Sequence, residues 1–88
     1  MLTLEQAIKP ILEEESVPGY GPVSAREGRY HWFVLFGFDG EATPGNIPYA
    51  IDKETGKIDF FPMPLPLRGG KPTAIEREMA AGSEVLLG

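Results

Sequence analysis

Apolar residues recur with two different periods along this chain, and the change of period divides it into elements. Leu4, Ala7, Ile8, Ile11 and Leu12 stand at i, i+3, i+4, i+7 and i+8, which places them on one stripe of a helix. Thr3 and Gln6 have the spacing of a capping box, in which two side chains satisfy two free backbone N–H groups. The pattern predicts a helix over residues 3–15. Pro10 lies off the stripe but has no N–H for the carbonyl of Gln6, so a kink or break is expected there. Glu13, Glu14 and Glu15 crowd the C-terminal end, where the helix dipole disfavours anions by a few tenths of a kcal/mol each. Pro18 and Gly19 end the element.

The period then shortens to two. Residues 20–27 read as a first strand, weakened by Gly21 and Pro22, and Glu27, Gly28 and Arg29 turn the chain. Over residues 29–38, Tyr30, Trp32, Val34, Phe36 and Phe38 face one way and His31, Phe33 and Leu35 the other. Two apolar faces mark a central strand. Residues 39–46 read as a loop rich in glycine, proline and small polar side chains. Residues 47–52 form a third strand. Residues 52–57 are a hairpin connection in which Asp52 caps its own turn and Gly56 supplies a positive φ. Residues 57–61 form a fourth strand. Residues 62–66 carry proline at every second position and are expected to leave the sheet or follow its edge as polyproline II. Thr73 and Glu76 repeat the capping box and open a short helix to about Ala81, with Gly82 as its C′ residue.

The expected fold is α+β: an N-terminal helix packed on a four-stranded, mainly antiparallel sheet, with a short C-terminal helix. Residues 1–82 make a single domain and residues 83–88 a tail. One sheet face packs on the first helix. The other has less cover, so Phe33, Leu35 and Phe61, with Met63 in the proline tract, are expected to form a partly exposed apolar surface of the kind that marks an interface. The alternative is that the C-terminal helix covers that face.

Composition narrows the function classes. With 88 residues the chain buries roughly 60% of its unfolded surface, so the core is thin. There is no cysteine, which excludes a disulfide framework and cysteine zinc sites and fits a reducing compartment. The N-terminal residues lack the basic and apolar regions of a signal peptide. No stretch approaches the roughly 20 apolar residues that span a bilayer. A cytoplasmic protein without a membrane partner is expected. Thirteen acidic against eight basic side chains give a net charge of −5, which repels phosphate backbones and argues against nucleic acid.

Catalytic chemistry is not visible. His31 is the one histidine, and no second histidine or cysteine can complete a zinc set. It is expected to be a hydrogen-bonded or half-exposed strand residue. Ser16, Ser24 and Ser83 lack a nucleophile-elbow context. Gly37, Gly40 and Gly45 are not spaced as a phosphate loop. The pairs Asp39 with Glu41 and Asp52 with Glu54 sit in solvated turns, where turn chemistry explains them better than acid–base work. Residues 52–57 do not match a calcium loop. No catalytic, cofactor or metal residue is expected. A protein-binding surface would draw on Phe33, Leu35, Phe61 and Met63 as anchors, with Asp39 and Glu41 as charged neighbours.

Four segments then stand in a telling order: Leu2-Thr3-Leu4-Glu5-Gln6-Ala7, Trp32-Phe33-Val34, Gly45-Asn46-Ile47-Pro48, and Ile51-Asp52-Lys53-Glu54-Thr55-Gly56-Lys57-Ile58. Together they resemble the bacterial immunity-protein family numbered thirty-five, also called YrhB-like, of polymorphic toxin systems. The resemblance covers residues 2–61. It implies a cytoplasmic protein that neutralises a cognate toxin, an enzyme, by covering its active site. It carries no catalytic residue across, and it makes Gly45, Asn46, Pro48 and Gly56 structural turn residues. The alternative is a small structural or assembly protein, for instance phage-encoded, that forms a homodimer or larger homo-oligomer through the Phe33 and Leu35 face.

Overall fold

A computed structural model describes residues 1–42, 48–60 and 72–87. Helix α1 (Leu4–Glu15) starts at the expected capping box, with the Thr3 side chain accepting from Gln6 N and the Gln6 side chain from Thr3 N. It runs through Pro10 unbroken. Gln6 and Pro10 both lie on the exposed side, where water can satisfy the carbonyl that proline leaves without a donor. The helix stops at Ser16, whose φ of 28° is positive.

Strands β1 (Tyr20–Glu27), β2 (His31–Phe38), β3 (Glu41–Ala42), β4 (Tyr49–Asp52), β5 (Ile58–Phe60) and β6 (Ser83–Val85) form one antiparallel sheet, with helix α2 (Ala74–Ala81) between β5 and β6 in the chain. The order across the sheet is β5-β4-β2-β1-β6, and β3 also pairs with β2. As expected, β2 is central. A register shift between Pro22, opposite Phe36, and Ser24, opposite Leu35, leaves Val23 as the extra residue of a bulge in β1.

The fold class stands as α+β, but among the described residues the sheet has six strands rather than four. The two additions have local causes. Asp39 (φ 51°) and Gly40 (φ 81°) make a two-residue turn with both residues left-handed, the geometry that suits a tight hairpin. The segment expected as loop therefore begins with β3 folded back on β2. Gly37 leaves room for it, because a Cβ there would strike the carbonyl oxygen of Glu41. At the other end, residues 83–85 of the expected tail pair with residues 25–27 of β1.

Val34, Phe36 and Ile51 of the sheet pack with Ala25 and with Ala7, Ile8 and Ile11 of α1, flanked by Trp32, Tyr49, Ile58 and Val85. Burial of the large side chains Val34, Phe36 and Ile51 contributes roughly 1.5–3 kcal/mol each. On the opposite face α2 lies beside Phe33 and Leu35, with Met79 at a hollow that both of them line. It is tied down by polar contacts: the Arg26 guanidinium donates to the carbonyls of Met79 (3.1 Å) and Gly82 (2.7 Å), a cation at the helix C-terminus. Gly82 itself is extended (φ −76°, ψ 172°), so positive φ does not explain it. A Cβ at this position would meet the Glu27 carbonyl oxygen at 2.6 Å.

Phe33 is 2% exposed, which corrects its expected place on an open apolar surface. A methyl group on Gly28 would touch both the Phe33 ring and the Glu78 carboxylate of α2, so helix, turn and ring are packed together. Leu35 is half-buried, beside Phe33 and Met79 around a shared hollow. Phe61 and Met63, with residues 62–66 and 45–47, lie outside the described residues.

Candidate functional site

Among the described residues, two places gather functional side chains. The first surrounds His31. Register sets His31 on β2 opposite Asp52 on β4, and Ala50 opposite Asp59 on β5. His31, Asp52 and Asp59 thus share the sheet face that α2 covers, and α2 brings Glu78. The ring is held at both nitrogens: Nδ1 lies 3.0 Å from Glu78 Oε1 and Nε2 lies 3.1 Å from Asp59 Oδ2. The other Glu78 oxygen accepts from the backbone N–H groups of Tyr30 and His31, both at 2.8 Å. Asp52 Oδ1 accepts from Glu54 N (2.8 Å) and Thr55 N (3.0 Å), so it caps its own turn as expected, and Gly56 has the expected positive φ of 76°.

Electrostatics follow from this packing. The His31 side chain is 12% exposed. Burial pushes its pKa down, but hydrogen bonds to Glu78 and Asp59 and the charge of both carboxylates outweigh that, and the net shift is upward. The backbone N–H groups of Thr55 and Glu54 hold the Asp52 carboxyl below its usual range. One ligand-capable atom from each of His31, Asp52 and Asp59 lies within 4.8 Å of the others. The expectation of a hydrogen-bonded strand histidine is met. Asp59 and Glu78, which sequence reasoning passed over, complete its surroundings.

The second place is the end of the sheet where α1, the turn before β1 and the β2–β3 turn meet. Asp39 N donates to Gly19 O (2.8 Å) and Tyr20 N to Val17 O (3.1 Å). Tyr20 stacks on Phe36 and meets Phe38 edge-on, with centroids 5.5 and 5.3 Å apart. Phe38 and Val17 remain 45% and 46% exposed. The last turn of α1 adds exposed Glu14 and Glu15, which also flank a hollow with Ile11, Tyr49 and Ile58, and the β2–β3 hairpin adds exposed Asp39 and Glu41. Burial raises the Tyr20 pKa, with Tyr49 and the Glu15 carboxylate adding to the effect. No basic residue occupies the last turn of α1. The structure thus keeps Asp39 and Glu41 of the sequence-derived set together at one end, away from buried Phe33. It adds Phe38 and Val17, which the residue pattern did not single out, and Glu14 and Glu15, already noted against the helix dipole.

A cleft of about 410 Å³ between the β1–β2 turn and α2 carries Arg29, Tyr30 and Arg77, but Glu27 and Glu78 on the same wall offset its positive charge. Among the described residues no helix is long and apolar enough to cross a membrane. Comparison with known proteins finds no matching family model, no significantly similar curated protein and no significantly similar solved structure.

Proposed function

We propose that this chain is a small, non-enzymatic, cytoplasmic protein-binding module that neutralises a basic partner, in the manner of the immunity proteins it resembles, by occluding a functional surface of a toxin enzyme. The observation that carries this reading is the sheet end that exposes Phe38 and Val17, where the last turn of α1 and the β2–β3 hairpin carry the exposed carboxylates Glu14, Glu15, Asp39 and Glu41. Carboxylates at a helix C-terminus cost local stability, which a binding role accounts for and a purely structural one does not. Acidic rim charges steer a basic partner and accelerate encounter, while an aromatic centre provides the anchor. Asp39 and Glu41 enter this reading as rim charges beside Phe38. Phe33 does not, because it lies under α2.

The homo-oligomeric alternative needs an open apolar face at Phe33 and Leu35, and burial of Phe33 removes its main anchor. The test is affinity capture of tagged protein from its native cytoplasm, beside a variant with Glu14, Glu15, Asp39 and Glu41 changed to lysine. The reading expects one basic enzyme, retained in stoichiometric amount by the natural chain and lost by the variant. Retention by both, or recovery of the bait alone, would overturn it.

A further inference from the structure

The His31 cluster holds more negative charge than one imidazolium balances. Asp52, Asp59 and Glu78 converge on a ring that supplies one positive charge at most. The arrangement also separates the two ring nitrogens by function. Glu78 is fixed by two backbone N–H groups, and its free oxygen receives the Nδ1 proton. That contact sets the ring orientation and turns Nε2 toward the carboxylates of Asp59 and Asp52, with its proton on Asp59 while the ring is charged.

We propose that Nε2 of His31 and carboxylate oxygens of Asp52 and Asp59 form a binding site for one divalent first-row transition cation, with Glu78 as the positioning residue behind the histidine. A carboxylate on the far nitrogen of a ligating histidine is the usual outer support of such a site, raising ligand basicity and fixing the tautomer. Ligands about 2.0–2.1 Å from a tetrahedral ion stand about 3.3 Å from each other, and Nε2 and Asp59 Oδ2 are 3.1 Å apart. The third oxygen, within 4.8 Å, needs a rotation of one carboxylate. One nitrogen with two oxygens suits zinc or its neighbours better than magnesium or calcium, which favour all-oxygen shells. The cation takes the place of the Nε2 proton, which leaves to solvent, and cancels the charge of the two aspartates. The side-chain exposure of Asp59, 36%, leaves the fourth position open to water. This inference is independent of the protein-binding role.

The test is a titration of the chelator-treated full chain with Zn²⁺, followed by the ring nitrogens of its single histidine in NMR and by calorimetry. The expected result is one equivalent of zinc, a metal-bound shift at Nε2 and a retained proton at Nδ1. Asp59→Asn and Asp52→Asn keep an oxygen for the existing hydrogen bonds, and each should weaken binding by at least about tenfold. Glu78→Gln should weaken it by about 10–100-fold. Ring nitrogens that do not move in a molar excess of Zn²⁺ would overturn the proposal. So would both asparagine variants binding as the natural chain does, since zinc would then sit elsewhere on the acidic surface. Equal competition by Mg²⁺ would also overturn it, by marking an unselective carboxylate patch.

Discussion

At His31, burial and hydrogen bonding pull in opposite directions, and the second prevails. Its folded pKa lies above the ordinary value of 6.5. The sign of the linkage is therefore set: the cationic ring stabilises the fold fully below about pH 6.5, and that contribution is lost as pH rises through the folded pKa. In chelator-treated protein, the stability advantage of the natural chain over His31→Gln should shrink as pH is raised from about 6.5 through the folded pKa in denaturant titrations. A constant difference across that range would contradict the charged, doubly held ring. The sequence placed His31 on a strand face and anticipated a hydrogen bond, yet not its partners. Asp59 is 28 residues away and Glu78 is 47, and neither separation leaves a periodic trace. Asp59 could have been inferred by pairing the two strands around the Asp52 hairpin, whereas Glu78 depends on where α2 docks.

Elements with strong local signals were legible. Both capping boxes, the helix spans, the extent of β1, the central place of β2 and the Asp52 turn all follow from short-range chemistry. Elements held by distant contacts were not. Strand β6 exists because Arg26 secures the end of α2 and directs residues 83–85 along β1. Val85 then packs on the core, whereas Leu86 is 95% exposed. Thermal unfolding should show Val85→Ala destabilised on the order of 1 kcal/mol, with Leu86→Ala unchanged. Strand β3 had a signal, the Asp39-Gly40 pair, that was outweighed by the glycine and proline around it. Its closeness to β2 yields a contrast between glycines. Gly37→Ala should cost roughly 1–3 kcal/mol because its Cβ meets backbone. Gly21→Ala, with nothing within 4 Å and no positive φ, should be near neutral. Equal effects at the two positions would mean that β3 does not close on β2 in solution.

For the whole molecule, the net charge of −5 was legible as a preference for basic or neutral partners, but its distribution was not. Folding gathers Glu14, Glu15, Asp39 and Glu41 at the end that exposes Phe38, and it hides Phe33, the side chain that the pattern of β2 placed on a bare face. Association with a basic partner should slow markedly as ionic strength rises, because surface charges are screened beyond about 10 Å at 0.1 M salt. Rates that do not change with salt would remove the steering role of these carboxylates. The most direct test of the central claim is amide hydrogen exchange on the chain alone and in complex with the protein it captures. The account predicts new protection at residues 13–20 and 38–42, with α2 unchanged. Protection confined to α2 and the β1–β2 turn, or none at all, would contradict it.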